Sequence, residues 1–270
     1  HTRGFPEPDP GASETADAMK IAVFSTVGGY TWAGSEELWY GLVRQGLDAG
    51  HSFVVQLHRD LRPAAQVEDL RRRGVPVFFH GSSLHPRLQR LRSHLLPPLP
   101  RLVATRPDLL LVSMGSPLDA TYLPGLMRLL REGRLPYVLL VQFNSEFLRF
   151  APGERSLLRD LYRRAQATCF VSEHNLRLAR RQLALPLENA AVVPNPVRFQ
   201  LDSPLPWPSP PSGVVPGLVS VARFETAWKA HDVLLEALSD PPWDASGWDL
   251  RLYGEGPDQA YIEDLVAFYN

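Results

Sequence analysis

Hydrophobic positions along this chain fall into short dense runs separated by segments with helical spacing. The run KIAVFST, starting after Met19, reads as a strand, and the loop VGGYTWAGS follows it. The next segment, EELWYGLVRQGLDAG, places Leu38, Leu42, Val43 and Leu47 on one helical face. Ser35 suits its N-cap, Glu36 and Glu37 suit the positive first turn, and Gly50 suits the C-terminal stop. HSFVVQL reads as the second strand, and the plan then recurs. A helix at 63–73 precedes VPVFFHG, and a basic stretch precedes DLLLVSM. Helices near 119–132, 154–165 and 173–184 precede PYVLLVQF, ATCFVS and AAVVPNPV. Such alternation predicts an α/β protein with a mainly parallel sheet covered by helices on both faces. Ligands of such sheets sit outside the carboxyl ends of the strands.

The rhythm breaks at QLDSPLPWPSPPSGVVPG, where prolines are too dense for a helix or strand interior. It restarts with GLVSVAR, HDVLLEALSD, DLRLYG and DQAYIEDLVAFYN. The expected organisation is a disordered leader over 1–18, a first domain over 19–200, a proline-rich linker over 201–216 and a partial second domain over 217–270. Two strands and two helices are too few for a doubly wound domain, so the second is expected to be incomplete.

Composition narrows the function classes. With 44% hydrophobic and 21% charged residues a packed soluble chain is expected; the formal net charge of -1 argues nothing about nucleic acid, and no nucleic-acid partner is expected. No apolar run reaches the ~20 residues of a membrane span, so a cytoplasmic location is expected. The stretch 85–106 holds five arginines and no acid, which offers a peripheral contact to anionic lipid at the inner face of a membrane. The lone Cys169 reads as core, and the histidines show no metal-ligand spacing, so no metal is expected.

Three loops carry candidate chemistry, each at a strand-to-helix junction. The first contains Gly28, Gly29, Gly34 and Ser35, whose amides and following helix start suit an anion such as a diphosphate. It matches neither the dinucleotide fingerprint nor the P-loop spacing. The second is ARFETAWKAHD, with Arg223 and Lys229. Only two of the 28 basic residues are lysines, Lys20 and Lys229, and a lysine at this junction favours a point-charge role. The third is Gly254-Glu255-Gly256-Pro257, where the glycines permit close approach to a ligand and Glu255 could accept hydroxyl hydrogen bonds.

In this order the segments resemble the retaining GT-B glycosyltransferases of the family called group 1 or family 4. The resemblance is carried by Ala33-Gly34-Ser35-Glu36, by Pro194-Asn195-Pro196-Val197, by Arg223 and Lys229 before HDVLLEAL, and by GEGP. It implies a GT-B-like fold of two Rossmann-like, doubly wound parallel-sheet domains. It implies sugar transfer from a nucleoside diphosphate sugar, hexosyl in type, to a carbohydrate, lipid or polymer acceptor, with no cofactor besides the donor substrate. Arg223 and Lys229 would contact the donor diphosphate, the amides near Gly34 would approach it, and Glu255 and Gly256 would lie near the nucleoside. Ala230 departs from the family's usual glycine after the lysine. Asn144 stands where many members place a histidine, so Asn144 and Glu146 are candidates to orient acceptor or sugar hydroxyls. The family's spaced glutamate pair is not found before Asn270, so the 270 residues by themselves are expected to lack transfer activity. A UDP-sugar 2-epimerase-like enzyme and a non-catalytic nucleotide-sugar or partner-binding remnant are the competing readings.

Overall fold

The structure, a computed structural model, describes residues 17–81, 99–197, 217–240, 243 and 248–269. The leader up to residue 16, the basic segment from 82 to 98 and the linker from 198 to 216 lie outside the described residues. The chain divides into two compact units, His1–Phe199 and Gln200–Asn270.

The first unit is built on a seven-stranded sheet in the order β3-β2-β1-β4-β5-β6-β7. The strands are β1 (Lys20–Ser25), β2 (Ser52–His58), β3 (Val77–His80), β4 (Leu109–Met114), β5 (Tyr137–Val141), β6 (Ala167–Phe170) and β7 (Ala190–Val192), and every pairing is parallel. Because side chains alternate across a strand, β1 feeds two cores at once. Ala22 and Phe24 enter one cluster with Val112, Leu139 and Phe170, while Val23 enters another with Val55, Leu57 and Leu111. Helix α1 (Glu36–Asp48) covers the second cluster with Trp39 and Val43, both fully buried. Cys169 packs beside that cluster, partly rather than wholly buried, and burial pushes its thiol pKa up.

Helix boundaries follow proline and glycine. The segment expected as one helix over 119–132 is a 3-10 turn at Asp119–Tyr122 followed by a separate helix, Pro124–Glu132. Proline cannot donate the amide hydrogen bond of a helix interior but fits the first helical position. Pro100 likewise opens the short helix Pro100–Ala104 instead of interrupting one. The helix expected at 63–73 spans Ala65–Arg72, with Ala64 extended at its N-cap and a separate 3-10 turn at Arg59–Leu61 before it. Gly50, with φ 87°, closes the end of α1, its N–H donating to the Leu47 carbonyl.

The second unit pairs β8 (Gly217–Val221) with β9 (Asp249–Tyr253) in parallel. Helices His231–Ser239 and Gln259–Tyr269 pack Leu235, Ile262 and Leu265 around Phe224, Leu250 and Leu252. The sheet's other face presents Val219, Val221 and Tyr253 to solvent, at 62%, 78% and 53% exposure. Parallel sheets normally bury both faces, so this layer is covered on one side only among the described residues.

Two buried tyrosines in the first core differ in one respect. The Tyr137 hydroxyl donates to the Leu161 carbonyl at 2.7 Å, whereas the fully buried Tyr162 hydroxyl has no partner among the described residues. Deleting a satisfied hydroxyl loses a bond, and deleting an orphaned one removes a desolvation cost. Tyr137→Phe is therefore expected to lower stability by about 1 kcal/mol and Tyr162→Phe to raise it by about 1 kcal/mol. Urea denaturation midpoints of the two variants check this.

Candidate functional site

Strand order reverses direction at β1, whose neighbours are β2 and β4. The loops after β1 and β4 therefore leave in opposite senses and open a crevice at their carboxyl ends. One carboxylate fixes its near wall. Asp119 accepts from the Thr26 hydroxyl at 2.9 Å, the Ser116 amide at 3.0 Å and the Ser116 hydroxyl at 2.7 Å.

The glycine loop is held from the side by β2. Asp60 accepts from the Gly29 amide at 2.8 Å and lies 2.9 Å from His58 Nδ1, and the Gly29 amide with the His58 imidazole keeps the Asp60 carboxyl below its usual range. His58 Nδ1 also caps the turn that follows, accepting from the Asp60 amide at 3.4 Å. Glycine is required around this ring. A Cβ on Gly28 would stand 2.9 Å from His58 Nδ1, and one on Gly81 would stand 2.4 Å from Nε2. His80 packs edge-on to His58, stacks on Phe24 and lies 2.8 Å from the Ser25 carbonyl, to which its Nε2–H donates. Burial depresses its pKa to about 4, so it is neutral at pH 7. The Gly29 amide expected to face an anion is thus already committed to Asp60.

At the start of α1, two expectations meet a different geometry. Ser35 has helical dihedrals and makes no side-chain cap; its hydroxyl lies 3.5 Å from Glu36 Oε1. The amides of Glu36 and Glu37 donate to the carbonyls of Ala33 and Gly34. Glu36 is not a solvated first-turn acid but a fully buried one, with Trp39 Nε1–H donating to it at 2.9 Å and the Ser25 hydroxyl beside it. Burial raises its pKa from 4.5 to about 7.

Beyond β5, Asn144 is buried and its Oδ1 accepts from the Ser145 amide at 2.9 Å. Glu146 is exposed and pairs with His174 Nε2 at 2.7 Å; its own amide and that imidazole hold its carboxyl below the usual range. His174 belongs to helix Glu173–Leu183, which Ser172 caps by accepting from the Asn175 amide. From the same helix, Gln182 donates to the carbonyls of Ser145 and Leu148, which fixes the loop.

In the second unit, Arg223 and Lys229 lie on the segment that follows β8, and Gly254, Glu255 and Gly256 form the turn that follows β9. The two loops are strapped by backbone bonds: Ala222 to the Tyr253 carbonyl, Phe224 to the Glu255 carbonyl and Asp258 to the Phe224 carbonyl, at 3.0–3.1 Å. Asp258 also accepts from the amide and hydroxyl of Thr226 at 2.7 and 2.8 Å. A Cβ on Gly254 would lie 1.9 Å from the Ala222 carbonyl oxygen, and one on Gly256 would lie 2.2 Å from that of Phe224. Arg223 pairs with Glu225 at 3.5 Å. Lys229 ends the short helix Thr226–Lys229 and is exposed. Ala230 follows with φ 52°, a left-handed conformation that glycine adopts without cost. Buried beneath, His231 packs edge-on to Phe224.

Among the described residues no cluster of His, Cys, Asp and Glu is placed to hold a metal, and no described helix is long and apolar enough to cross a membrane. The two parallel-sheet units have the α/β architecture of GT-B proteins. Residues 32–201 match the model of Glycosyltransferase Family 4, more than half of the chain, and the chain belongs to that family. No curated protein matches the sequence. Among solved structures, a glycosyltransferase from Rickettsia africae is similar with a TM-score of 0.60 at 14% identity, over 94% of this chain and 66% of that one. Anabaena Alr3699/HepE in complex with UDP-glucose is similar with a TM-score of 0.57 at 18% identity, over 92% and 65%. The Staphylococcus aureus protein TarM gives 0.53 at 8% identity, over 93% and 75%. At these identities the likeness is one of fold. The chain spans about two-thirds of the length of the first two.

The Glu36 carboxyl makes stability depend on pH. Between 4.5 and about 7 the folded state holds a proton on Glu36 that the unfolded state has released, so the contribution of this group to stability falls as pH rises through this window. Glu36→Gln keeps an acceptor for Trp39 and cannot ionise. Relative to the wild type it is expected to gain nothing extra below pH 4.5 and about 3 kcal/mol above pH 8, read from denaturation curves at both ends. Gly256→Ala is expected to destabilise the second unit by about 1–3 kcal/mol. Its sign is faster hydrogen exchange at Phe224 and Asp258, with the first unit unchanged.

Proposed function

We propose that the intact protein transfers a hexosyl group from a nucleoside diphosphate sugar to a hydroxyl of a carbohydrate, lipid or polymer acceptor, with retention at the anomeric carbon. The observation that carries this reading is the strapped double loop of the second unit. It presents an exposed ammonium, Lys229, and a guanidinium, Arg223, on a backbone whose Gly254 and Gly256 pack directly against neighbouring carbonyls. Cationic groups on a rigid turn suit a leaving diphosphate, where negative charge grows as the glycosidic bond breaks. Anabaena Alr3699/HepE, similar in fold, is described in complex with UDP-glucose, which supports a nucleotide-sugar partner here.

In this reading Arg223 and Lys229 stabilise the diphosphate and the exposed carboxylate of Glu255 accepts from ribose or sugar hydroxyls. The first unit supplies the acceptor side, where Asn144 and Glu146 orient hydroxyls. Catalysis rests on positioning and on leaving-group stabilisation rather than on a covalent enzyme intermediate.

Removing one charge-assisted contact to a phosphate costs about 1.5–3 kcal/mol, so Lys229→Ala is expected to weaken UDP binding about 10- to 100-fold. Calorimetric titration of the 270-residue chain and its variant with UDP measures this. An affinity unchanged by the substitution removes Lys229 from the mechanism.

A further inference from the structure

Glu36 opens α1, at the point where the glycine loop from Thr26 to Ser35 rejoins the body of the first unit. Its side chain is fully buried, and the groups that reach its carboxyl are neutral. Trp39 Nε1–H donates to Oε2 at 2.9 Å, the Ser25 hydroxyl of β1 bonds to it, and the Ser35 hydroxyl lies 3.5 Å from Oε1. The titratable groups around the loop have other partners. Glu37 accepts from Trp32 Nε1–H at 2.8 Å, Asp119 accepts from Thr26 and Ser116, and Asp60 accepts from the Gly29 amide and pairs with His58. His80 reaches Ser25 through the carbonyl and not the hydroxyl. Among the described residues no charge of either sign acts on the Glu36 carboxyl. From β4, Ser113 stands beside Ser25 in register and adds only a neutral hydroxyl.

The same carboxyl ties both ends of the loop to the sheet. Ser25 Oγ, bonded to Glu36, also accepts from the Val27 amide at 3.2 Å, so one hydroxyl joins the carboxyl to the start of the loop. At the other end the amides of Glu36 and Glu37 donate to the Ala33 and Gly34 carbonyls at 3.0 and 3.3 Å. Between these ends the chain has room to pivot. Gly29, with φ 83°, and Gly34 meet nothing within 4 Å where a Cβ would stand. One turn further on, Val43 is fully buried and holds the rest of α1 in place. Motion can therefore be confined to the loop and the first helical turn.

An isolated carboxylate is not tolerated in an apolar interior; it takes up a proton or it reaches water. We propose that Glu36 is a pH-sensitive latch on the glycine loop: as a neutral acid it seats the first turn of α1 on β1, and on losing its proton it releases loop and turn towards solvent. The loop forms one wall of the crevice between β1 and β4, so that crevice opens more often as pH rises towards neutrality. The latch belongs to the first unit alone and holds whatever ligand the crevice takes. Its direction follows from linkage. Burial holds the closed carboxyl at about 7, against 4.5 for an exposed one, so opening releases a proton between these values. The opening equilibrium rises there by up to about tenfold per pH unit and levels off once both states are ionised.

The test is hydrogen exchange of the full 270-residue chain, labelled with nitrogen-15, at pH 5, 6, 7 and 8, with each rate divided by its intrinsic value. Protection of the Trp39 indole and of the Val27, Glu36 and Glu37 amides is expected to fall at least tenfold between pH 5 and pH 7 and then to level off. The Leu57 and Leu139 amides of the sheet should keep theirs. Glu36→Gln cannot ionise and should hold protection constant across the range. Ser25→Ala removes a hydroxyl that favours the ionised carboxyl, so its levelling point should move to higher pH. That second variant keeps the latch testable if the Glu36→Gln chain does not fold. Flat protection in the wild type, the same fall in Glu36→Gln, or an unmoved levelling point in Ser25→Ala overturns the inference. So does an equal fall at Leu57 and Leu139, the sign of global unfolding instead of a local latch.

Discussion

Parallel pairing of β1 on both of its edges, to β2 and to β4, is the constraint on which the first unit depends. A strand in that position must be apolar on both faces, and KIAVFS meets this by sending Ala22 and Phe24 one way and Val23 the other. Once β1 is central, β2 and β3 add on one side and β4 to β7 on the other. The loops at the carboxyl ends of β1 and β4 are then forced apart. The polar chemistry of the first unit gathers along that edge: the Asp119 knot, the His58–Asp60 pair, the buried Glu36 and the amides beyond β5.

The same edge concentrates groups that a folding chain would otherwise avoid burying. Glu36 is held without a cation and stays protonated to about pH 7, while His80 is kept neutral by the same desolvation acting in the opposite sense. A histidine with a depressed pKa loses folded-state stability as pH falls from 6.5 towards 4, and the glutamate loses it as pH rises from 4.5 towards 7. The two dependences overlap and largely cancel across mildly acidic pH. Their sites are joined through Ser25, whose carbonyl accepts from His80 and whose hydroxyl meets Glu36.

Fold class was legible because it rests on local, repeated signals: dense apolar runs such as FVVQL, LLLVSM and YVLLV, and helical spacing between them. Helix limits were read less well at prolines: Pro124 opens a new helix after the 3-10 turn at Asp119–Tyr122, and the helix expected from Pro63 begins at Ala65. The parts of the candidate sites that stayed hidden are long-range. Nothing near Asp60 in the sequence announces Gly29, 31 residues away, and nothing near Thr226 announces Asp258, 32 residues away. Glu36 looked like an ordinary first-turn acid because sequence spacing gives its helical position but not the depth at which α1 docks. His174 became visible as the partner of Glu146 only when the loop after β5 and the helix Glu173–Leu183, which follows β6, were placed together. The GEGP turn could be recognised as tight, yet the reason for its glycines lies in the carbonyls of Ala222 and Phe224 on a different strand-end loop.

That last contact makes one mechanical body of two loops distant in sequence. The turn bearing Arg223 and Lys229 cannot open, lengthen or tilt without pulling on the backbone of the turn bearing Glu255, since carbonyls and amides of each hold the other and the Asp258 carboxylate adds a side-chain tie to Thr226. Grafting either loop alone from a relative would mismatch three backbone hydrogen bonds and two near-contact glycines. Exchange between family members is therefore expected to succeed only when both loops move together as a cassette.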